Sequence, residues 1–527
     1  MKKVKNILFI MADQLRWDYL SCYGHPHLKT PNIDGLAKKG VMFESAYVQA
    51  PVCGPSRASY YTGRTVFSHG STWNQVPLPI GELTIGDYLR QSGIKTGVVG
   101  KTHMRPDAEG MNRLGISKNT EIGLIVSEPG FDPYERDDGL HPNNHIKNSD
   151  KKLSYNEWLN QLGYEGDNPW DSWANSAEGE NGEILSGWRL RNSNKPARIP
   201  EKHSETAFMT NRAMEFIEES KDKPWFLHLS YIKPHWPYIA PAPYHNMFSS
   251  NQFYPVHRVD AEKEINHPVY KAFMENSISK TFSRDEVRET VLAGYMGLIK
   301  QIDDNLGRLF KFLEDTKRIE DTMIVFTSDH GDYHGDHWLG EKELFHEQII
   351  RVPMIIYDPS SAANNNRGVK EKRFVEAIDL LPTFLDAVES KVSKHRLEGH
   401  SLIPILRGEK ISKWRESVFS ETDYSFNEAR KILNLGASDA RAYMIRNDKW
   451  KYIYYKGFPP QLFDLKNDPD EFNDLGQSKD HLKIIEEMKE LLLQRITARK
   501  NRVAANDEFV LKERDYTKED GIMIGVW

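Results

Sequence analysis

Ile7-Leu8-Phe9-Ile10-Met11-Ala12, closed by Asp13 and Gln14, is the stretch on which the fold turns. Lys2, Lys3 and Lys5 stand just before it, so the segment imitates a short signal peptide. Its apolar run is too short, however, lacks a small-residue cleavage site and stops on a charge. It reads as the first β-strand of the chain, and the carboxylate that ends it becomes a candidate for chemistry.

Four more runs read the same way: Thr96–Val99, Trp225–Ser230, Thr322–Thr327 and Pro353–Tyr357. They alternate with helical patterns, which predicts an α/β fold with a large, mostly parallel sheet flanked by helices. Polar residues follow four of the five strands: Asp13 and Gln14, Lys101 and His103, His235, then Asp329 and His330. In such sheets ligands bind beyond the carboxyl ends of the strands, so these groups are expected on one rim. Helices are expected from Thr30-Pro31-Asn32 to about Gly40, over Ile80–Gln91 and over Ser204–Glu219. Residues 105 to about 202 form an irregular insertion rich in Asn, Gly, Asp and Trp, the kind that carries function. The catalytic domain is expected over 1–410. A C-terminal α+β subdomain follows over 411–497, with antiparallel strands at Glu416–Thr422, Arg441–Ile445, Trp450–Tyr455 and Leu462–Leu465 and a helix at Lys483–Thr497. The tail 498–527 ends in an apolar Ile522–Trp527, expected to pack on the body or on a neighbouring subunit in a homo-oligomer.

With 70 basic and 76 acidic side chains in 527 residues, the net charge of -6 gives no case for nucleic acid or an anionic membrane. Any anion must therefore be captured locally. Two cysteines, Cys22 and Cys53, exclude a disulfide framework. No apolar run approaches the roughly 20 residues of a membrane span. A reducing, cytoplasmic location is the expectation.

The second informative stretch is Cys53-Gly54-Pro55-Ser56-Arg57, continuing through Ala58-Ser59-Tyr60-Tyr61 to Thr62-Gly63. A lone Cys ahead of a helical run, with an Arg close behind, puts a reactive side chain where backbone N–H groups converge, an anion site. Asp13, Asp329 and His330 offer oxygen and imidazole ligands for a hard divalent cation.

The Cys53 stretch fits C-x-P-S-R-x-x-x-x-T-G over its whole length, and with it the chain resembles the sulfatases of the alkaline phosphatase superfamily. Met11–Gln14, Thr30–Asp34, Gly100–His103, Lys233–Pro237, Ser328–Gly331, Arg351–Pro353, Trp450–Ile453 and Leu462–Leu465 stand in the family's order. The resemblance implies an alkaline-phosphatase-like fold. It also implies oxidation of Cys53 to formylglycine by a formylglycine-generating enzyme, and one divalent metal, Ca²⁺ or else Mn²⁺, held by Asp13, Gln14, residue 53, Asp329 and His330. A hydroxyl of the hydrated aldehyde would attack the sulfur of a sulfate ester with metal assistance. Arg57, Lys101 and Lys342 would neutralise the sulfuryl charge. His235 or Lys342 would protonate the leaving group, and His103 would take the proton whose loss expels sulfate.

Gln14 replaces the second Asp of many sulfatases, as in choline sulfatases and phosphonate monoester hydrolases, and Asn74 resembles an active-site Asn of the latter. Lys101 and His103 stand where those hydrolases carry other residues, which favours sulfate. For substrate contacts the insertion offers Trp170, Trp173 and Trp188 for sugar stacking, and Arg105, Arg189 and Arg191 for a second anion. A sulfated carbohydrate or other small sulfate ester is the expected substrate. A phosphonate or phosphate diester hydrolase, and a non-catalytic protein that binds sulfated glycans, are the alternatives.

Overall fold

The fold is taken from a computed structural model that describes residues 3–140, 153–264 and 267–519; the apolar terminus Ile522–Trp527 lies outside them. The first strand is β1 (Asn6–Asp13), followed by β2 (Val41–Tyr47), β3 (Lys95–Gly100), β4 (Asp132–Arg136) and a small hairpin of β5 (Ser176–Glu178) and β6 (Ile184–Ser186). Then come β7 (Trp225–Pro234), β8 (Thr322–Ser328), β9 (Arg351–Tyr357), β10 (Val369–Glu371) and β11 (Val375–Glu376). Nine strands form one sheet in the order β10-β2-β9-β8-β1-β7-β3-β4, with β11 also on β2.

Strand β1 sits between β7 and β8, parallel to both, and all of it is buried. Its side chains divide by the period of two. Ile7, Phe9 and Met11 enter one core, and Leu8, Ile10 and Ala12 enter the other. Each large apolar side chain so buried contributes roughly 1.5–3 kcal/mol. The first core takes in Ala58, Tyr60 and Tyr61 of the helix Cys53–Thr62; the second takes in Met209 and Phe216 of Glu205–Glu219 and Leu292 to Leu313 of Asp285–Asp315.

Of the elements that the sequence did not reveal, two shape the site and its support. Strand β2 pairs antiparallel with β9, and an irregularity between Phe43 and Ala46 breaks its register where Glu44 and Ser45 stand. It matters because β2 runs toward the catalytic rim and hands the chain to Cys53. The other is the 31-residue helix Asp285–Asp315. The expected helix at Ile80 begins instead at Ile85, because Thr84 forms a capping box with Asp87.

The C-terminal sheet is β12 (Ser417–Asp423), β13 (Arg441–Asn447), β14 (Trp450–Tyr455) and β15 (Gln461–Asp464), antiparallel in that order. One face packs Phe419, Ile445, Tyr452 and Leu462 on Ile485, Met488 and Leu492 of the helix Leu482–Thr497. Its other face gives Val418, Met444, Ile453 and Phe463 to the main core. No helix among the described residues is long and apolar enough to cross a membrane.

The helix Pro31–Lys39 lacks a cap from its own Thr30. Asp303, from Asp285–Asp315, supplies one by accepting the backbone N–H of Asn32 at 3.0 Å and of Ile33 at 2.9 Å. Asp303→Ala is expected to lower stability by about 1–2 kcal/mol, read as a shifted urea midpoint with an unchanged slope. An unmoved midpoint would show that the cap contributes nothing.

Candidate active site

The helix Cys53–Thr62 is buried along its whole length. Its sequence motif has a physical reading residue by residue. A Cβ on Gly54 would stand 2.9 Å from Asn74 Oδ1, so the position takes no larger side chain without displacing Asn74. Ser56 Oγ donates to the Asp329 carbonyl at 2.6 Å and ties the helix to the end of β8. Gly63 closes the helix in the left-handed region at φ 64°. Two of the N-terminal N–H groups are already occupied and a third is missing: Asn74 Oδ1 accepts Gly54 N–H at 2.8 Å, Pro55 has none, and Ser56 N–H bonds to the Val52 carbonyl.

Asp13, Cys53, Asp329 and His330 each bring one donor atom into a cluster in which all lie within 4.8 Å of one another. Each arrives from a different local device: Asp13 ends β1, Asp329 and His330 follow β8, and Cys53 opens its helix. His330 Nδ1 donates to the Gly331 carbonyl at 2.8 Å, which turns Nε2 toward Cys53 Sγ, 3.0 Å away. Two buried carboxylates, an imidazole nitrogen and a sulfur or its oxidised derivative form a donor set that fits a divalent cation.

Such a pair of carboxylates must be compensated. Arg57 Nη2 donates to Asp13 Oδ2 at 2.9 Å and Arg57 Nε to Asp329 Oδ2 at 2.8 Å, while Nη1 reaches the Lys101 carbonyl and Ser230 Oγ, both at 2.8 Å. Lys101 Nζ lies 2.7 Å from Asp13 Oδ2. Burial and the Cys53 thiolate push Asp13 up, yet Lys101, His235 and Arg57 outweigh them and hold it below the usual carboxylate range. Burial and the neighbouring Asp13 push Asp329 up. The guanidinium is spent on these partners and stays out of the cavity, so Arg57 orients the carboxylates and does not meet a sulfuryl group, which corrects its expected role.

Lys342 does face the reacting atom, with Nζ 3.3 Å from Cys53 Sγ and 2.9 Å from Gln14 Oε1. Although burial opposes a low thiol pKa, Lys342, His330 and Lys101 together draw Cys53 well below its ordinary value. His103 and His235 both approach the Cys53 side chain. His235 Nδ1 donates to the Trp236 carbonyl at 2.7 Å, so its Nε2 is an acceptor. Burial, then Lys101, pushes the His235 pKa down to about 3. His103 stands at φ 54°, its N–H on Asp138 Oδ1 at 3.0 Å.

Lys101, His103, His235 and Lys342 line the floor of a cavity of about 2000 Å³. Asn74, Arg105, Trp188, Arg189 and Arg191 form part of its wall. Trp170 and Trp173 do not, which overturns their expected contact with substrate. Trp170 is buried and donates its indole N–H to Glu205. Trp173 lies under the Arg198 guanidinium at 4.0 Å and donates to the Glu165 carbonyl. Both anchor the insertion. Trp73, which the sequence did not single out, lines the cavity and stacks on Phe426 at 5.6 Å. Its place next to Asn74 was the available signal.

Comparison with known proteins agrees with this geometry. The family model described as Sulfatase matches residues 5–390, and the model described as N-sulphoglucosamine sulphohydrolase, C-terminal, matches residues 335–498. The chain is 33% identical to the multifunctional alkaline phosphatase superfamily protein PehA of Trinickia caryophylli, covering 90% of this chain and 91% of the relative. It is 28% identical to an arylsulfatase of Clostridium perfringens, covering 94% and 95%. A solved phosphonate monoester hydrolase of Agrobacterium radiobacter superposes with a TM-score of 0.80 at 28% identity, covering 94% of this chain and 95% of that one.

Removing Arg57 leaves two buried carboxylates facing each other. Arg57→Ala is therefore expected to destabilise the metal-free protein by about 3–5 kcal/mol, and Arg57→Lys to recover only part, since one ammonium cannot reach four acceptors. Guanidinium denaturation in the presence of a chelator measures both; an alanine variant as stable as the parent would refute the clamp.

Proposed function

This chain belongs to the sulfatase family and is a sulfuric ester hydrolase, and on that premise we propose that its nucleophile is a formylglycine hydrate made from Cys53 and that its substrate is a sulfated saccharide or similar small ester. The observation that carries the reading is the buried set of Asp13, Cys53, Asp329 and His330, with Lys342 Nζ 3.3 Å from Cys53 Sγ, at the floor of a large cavity. A divalent ion held by Asp13, Asp329, His330 and residue 53, with the Gln14 oxygen beside them, would act as a Lewis acid; this oxygen-rich set suits Ca²⁺ and admits Mn²⁺. Formylglycine would supply two hydroxyls on one carbon, one to bond to sulfur and one to lose its proton so that the carbon–oxygen bond to sulfate breaks and the aldehyde returns.

The side chains divide the remaining work. Lys101 and Lys342 carry positive charge toward the sulfuryl oxygens, and one such preorganised contact is worth about 3 kcal/mol in a transition state. Lys342 is also placed to give a proton to the leaving oxygen, its Nζ lying 3.3 Å from Cys53 Sγ. The His235 Nε2 is an acceptor at rest and suits proton removal rather than donation. His103 is the base for the second hydroxyl, its ring reaching residue 53. Arg105, Arg189 and Arg191 on the wall suit a second anionic group of the substrate.

A second reading, phosphonate monoester hydrolysis, is favoured by Asn74, whose carboxamide oxygen is fixed on Gly54 N–H so that its amino group is left for the cavity. The likeness to a phosphonate monoester hydrolase at a TM-score of 0.80 points the same way. Protein co-expressed with a formylglycine-generating enzyme distinguishes the readings. We expect the Cys53 peptide to carry the aldehyde mass, and matched aryl esters to be cleaved faster as sulfate than as phosphonate. A clear phosphonate preference reverses the assignment, and an unmodified thiol in an inactive protein favours a glycan-binding role.

Asp329→Ala is expected to lose both the bound divalent ion, by elemental analysis, and hydrolysis, by at least about a thousandfold. Retention of one ion per chain would remove Asp329 from the ligand set.

A further inference from the structure

Gln14 stands where many sulfatases have a second carboxylate, and an amide at a cation site has a difficulty that a carboxylate lacks. Its two ends are nearly the same size, but only the oxygen can bind a cation. Something must decide which end faces inward.

The surroundings of Gln14 make that decision. Its backbone is left-handed at φ 63°, with the N–H on Asp329 Oδ1 at 3.0 Å, and its side chain is fully buried. Nε2 donates to Asp332 Oδ2 and lies 3.4 Å from the Tyr238 hydroxyl. Asp332 already accepts from two other donors: Tyr238 O–H at 2.7 Å on Oδ2 and the His334 backbone N–H at 3.0 Å on Oδ1. A carboxylate with this many donors can only accept, so the amide must turn its nitrogen to Asp332. Oε1 then points the other way, toward Lys342 Nζ at 2.9 Å, which itself lies 3.3 Å from Cys53 Sγ of the donor set.

We infer that Asp332 is a positioning residue that, with Tyr238, locks the Gln14 amide so that only its oxygen is presented to the divalent ion. It also keeps behind Gln14 the negative charge that an Asp at position 14 would carry at the ion itself. The inference rests on the reading that a divalent ion occupies the Asp13, Cys53, Asp329 and His330 set.

The test measures Mn²⁺ and Ca²⁺ affinity of the full chain with unmodified Cys53, by competition with a fluorescent chelator. Asp332→Asn is expected to weaken binding by roughly 10–100-fold without changing the metal-free melting temperature, because a second carboxamide can offer Gln14 either end. Adding Gln14→Asp to that variant returns a carboxylate to the ion and is expected to recover most of the loss, which a merely structural Asp332 would not allow. Undiminished affinity in Asp332→Asn overturns the inference. Where that variant alone does not fold, the double variant decides: tight binding supports the inference, and a folded double variant with weak binding overturns it. A parent that binds neither ion would instead defeat the metal reading.

Discussion

Two buried carboxylates, Asp13 and Asp329, are held a few ångströms apart, and the architecture of the rim follows from that constraint. Two like charges at 4 Å repel by about 4 kcal/mol even at an effective dielectric constant of 20. The chain answers with a cation buried in a helix that has no other exposed or charged face. Arg57 bonds to both carboxylates, to Lys101 just past β3 and to Ser230 within β7, so one guanidinium joins elements far apart in the chain. Ser56, its neighbour, fixes the same helix to the end of β8. A bound divalent ion would complete the neutralisation that Arg57 and Lys101 begin.

This gives the basic residues separate faces. Arg57 looks inward and fixes the ligands; Lys101 and Lys342 look both ways, each touching the donor set and lining the cavity. The Gly54 and Ser56 amides of the helix, part of the anion site that sequence reasoning offered, are consumed by Asn74 and by the helix itself. Anion recognition is thereby moved from backbone to side chains, where it can be tuned by substitution.

How much of this was legible follows from the kind of signal each part carries. The strands β1, β3, β7 and β8 were readable because central parallel strands are continuous apolar runs, and the polar residue ending each run marked the rim. Strand β2 was hidden because Glu44 and Ser45 interrupt its apolar pattern at the register break. The helix Asp285–Asp315 was hidden partly by Gly294, Gly297 and Gly307, which lower helix propensity. The structure gives them a purpose: a Cβ at Gly294 or Gly297 would stand 2.2 Å from the carbonyl of Tyr238 or Tyr244. The candidate site residues could be named from spacing, but whether a side chain faces the cavity or the fold is decided by packing: Arg57 and Trp170 turned inward, and Trp173 packs against Arg198 instead of lining the cavity. The carboxylate that pairs with the Gln14 amide, Asp332, was invisible for the same reason.

The backbone itself records where function was imposed on the fold. Gln14, His103, Glu341 and Glu343 are non-glycine residues with φ of 63°, 54°, 57° and 96°, and all four adjoin the donor set or Lys342. Each such conformation costs on the order of 1–3 kcal/mol. Glu341 and Glu343 flank Lys342, so the strain on either side is the means by which an ammonium is turned from solvent onto Cys53. Nothing in a local sequence of Gly-Glu-Lys-Glu requires this; a relaxed turn would leave Lys342 outside. The strain persists because the nine-stranded sheet and its two cores over-determine the surrounding chain, and because the buried charges on Cys53, Asp13 and Asp329 hold the ammonium once it is there. Stability gathered in the sheet around β1 is thus what allows four residues at its rim to remain in conformations they would not choose alone.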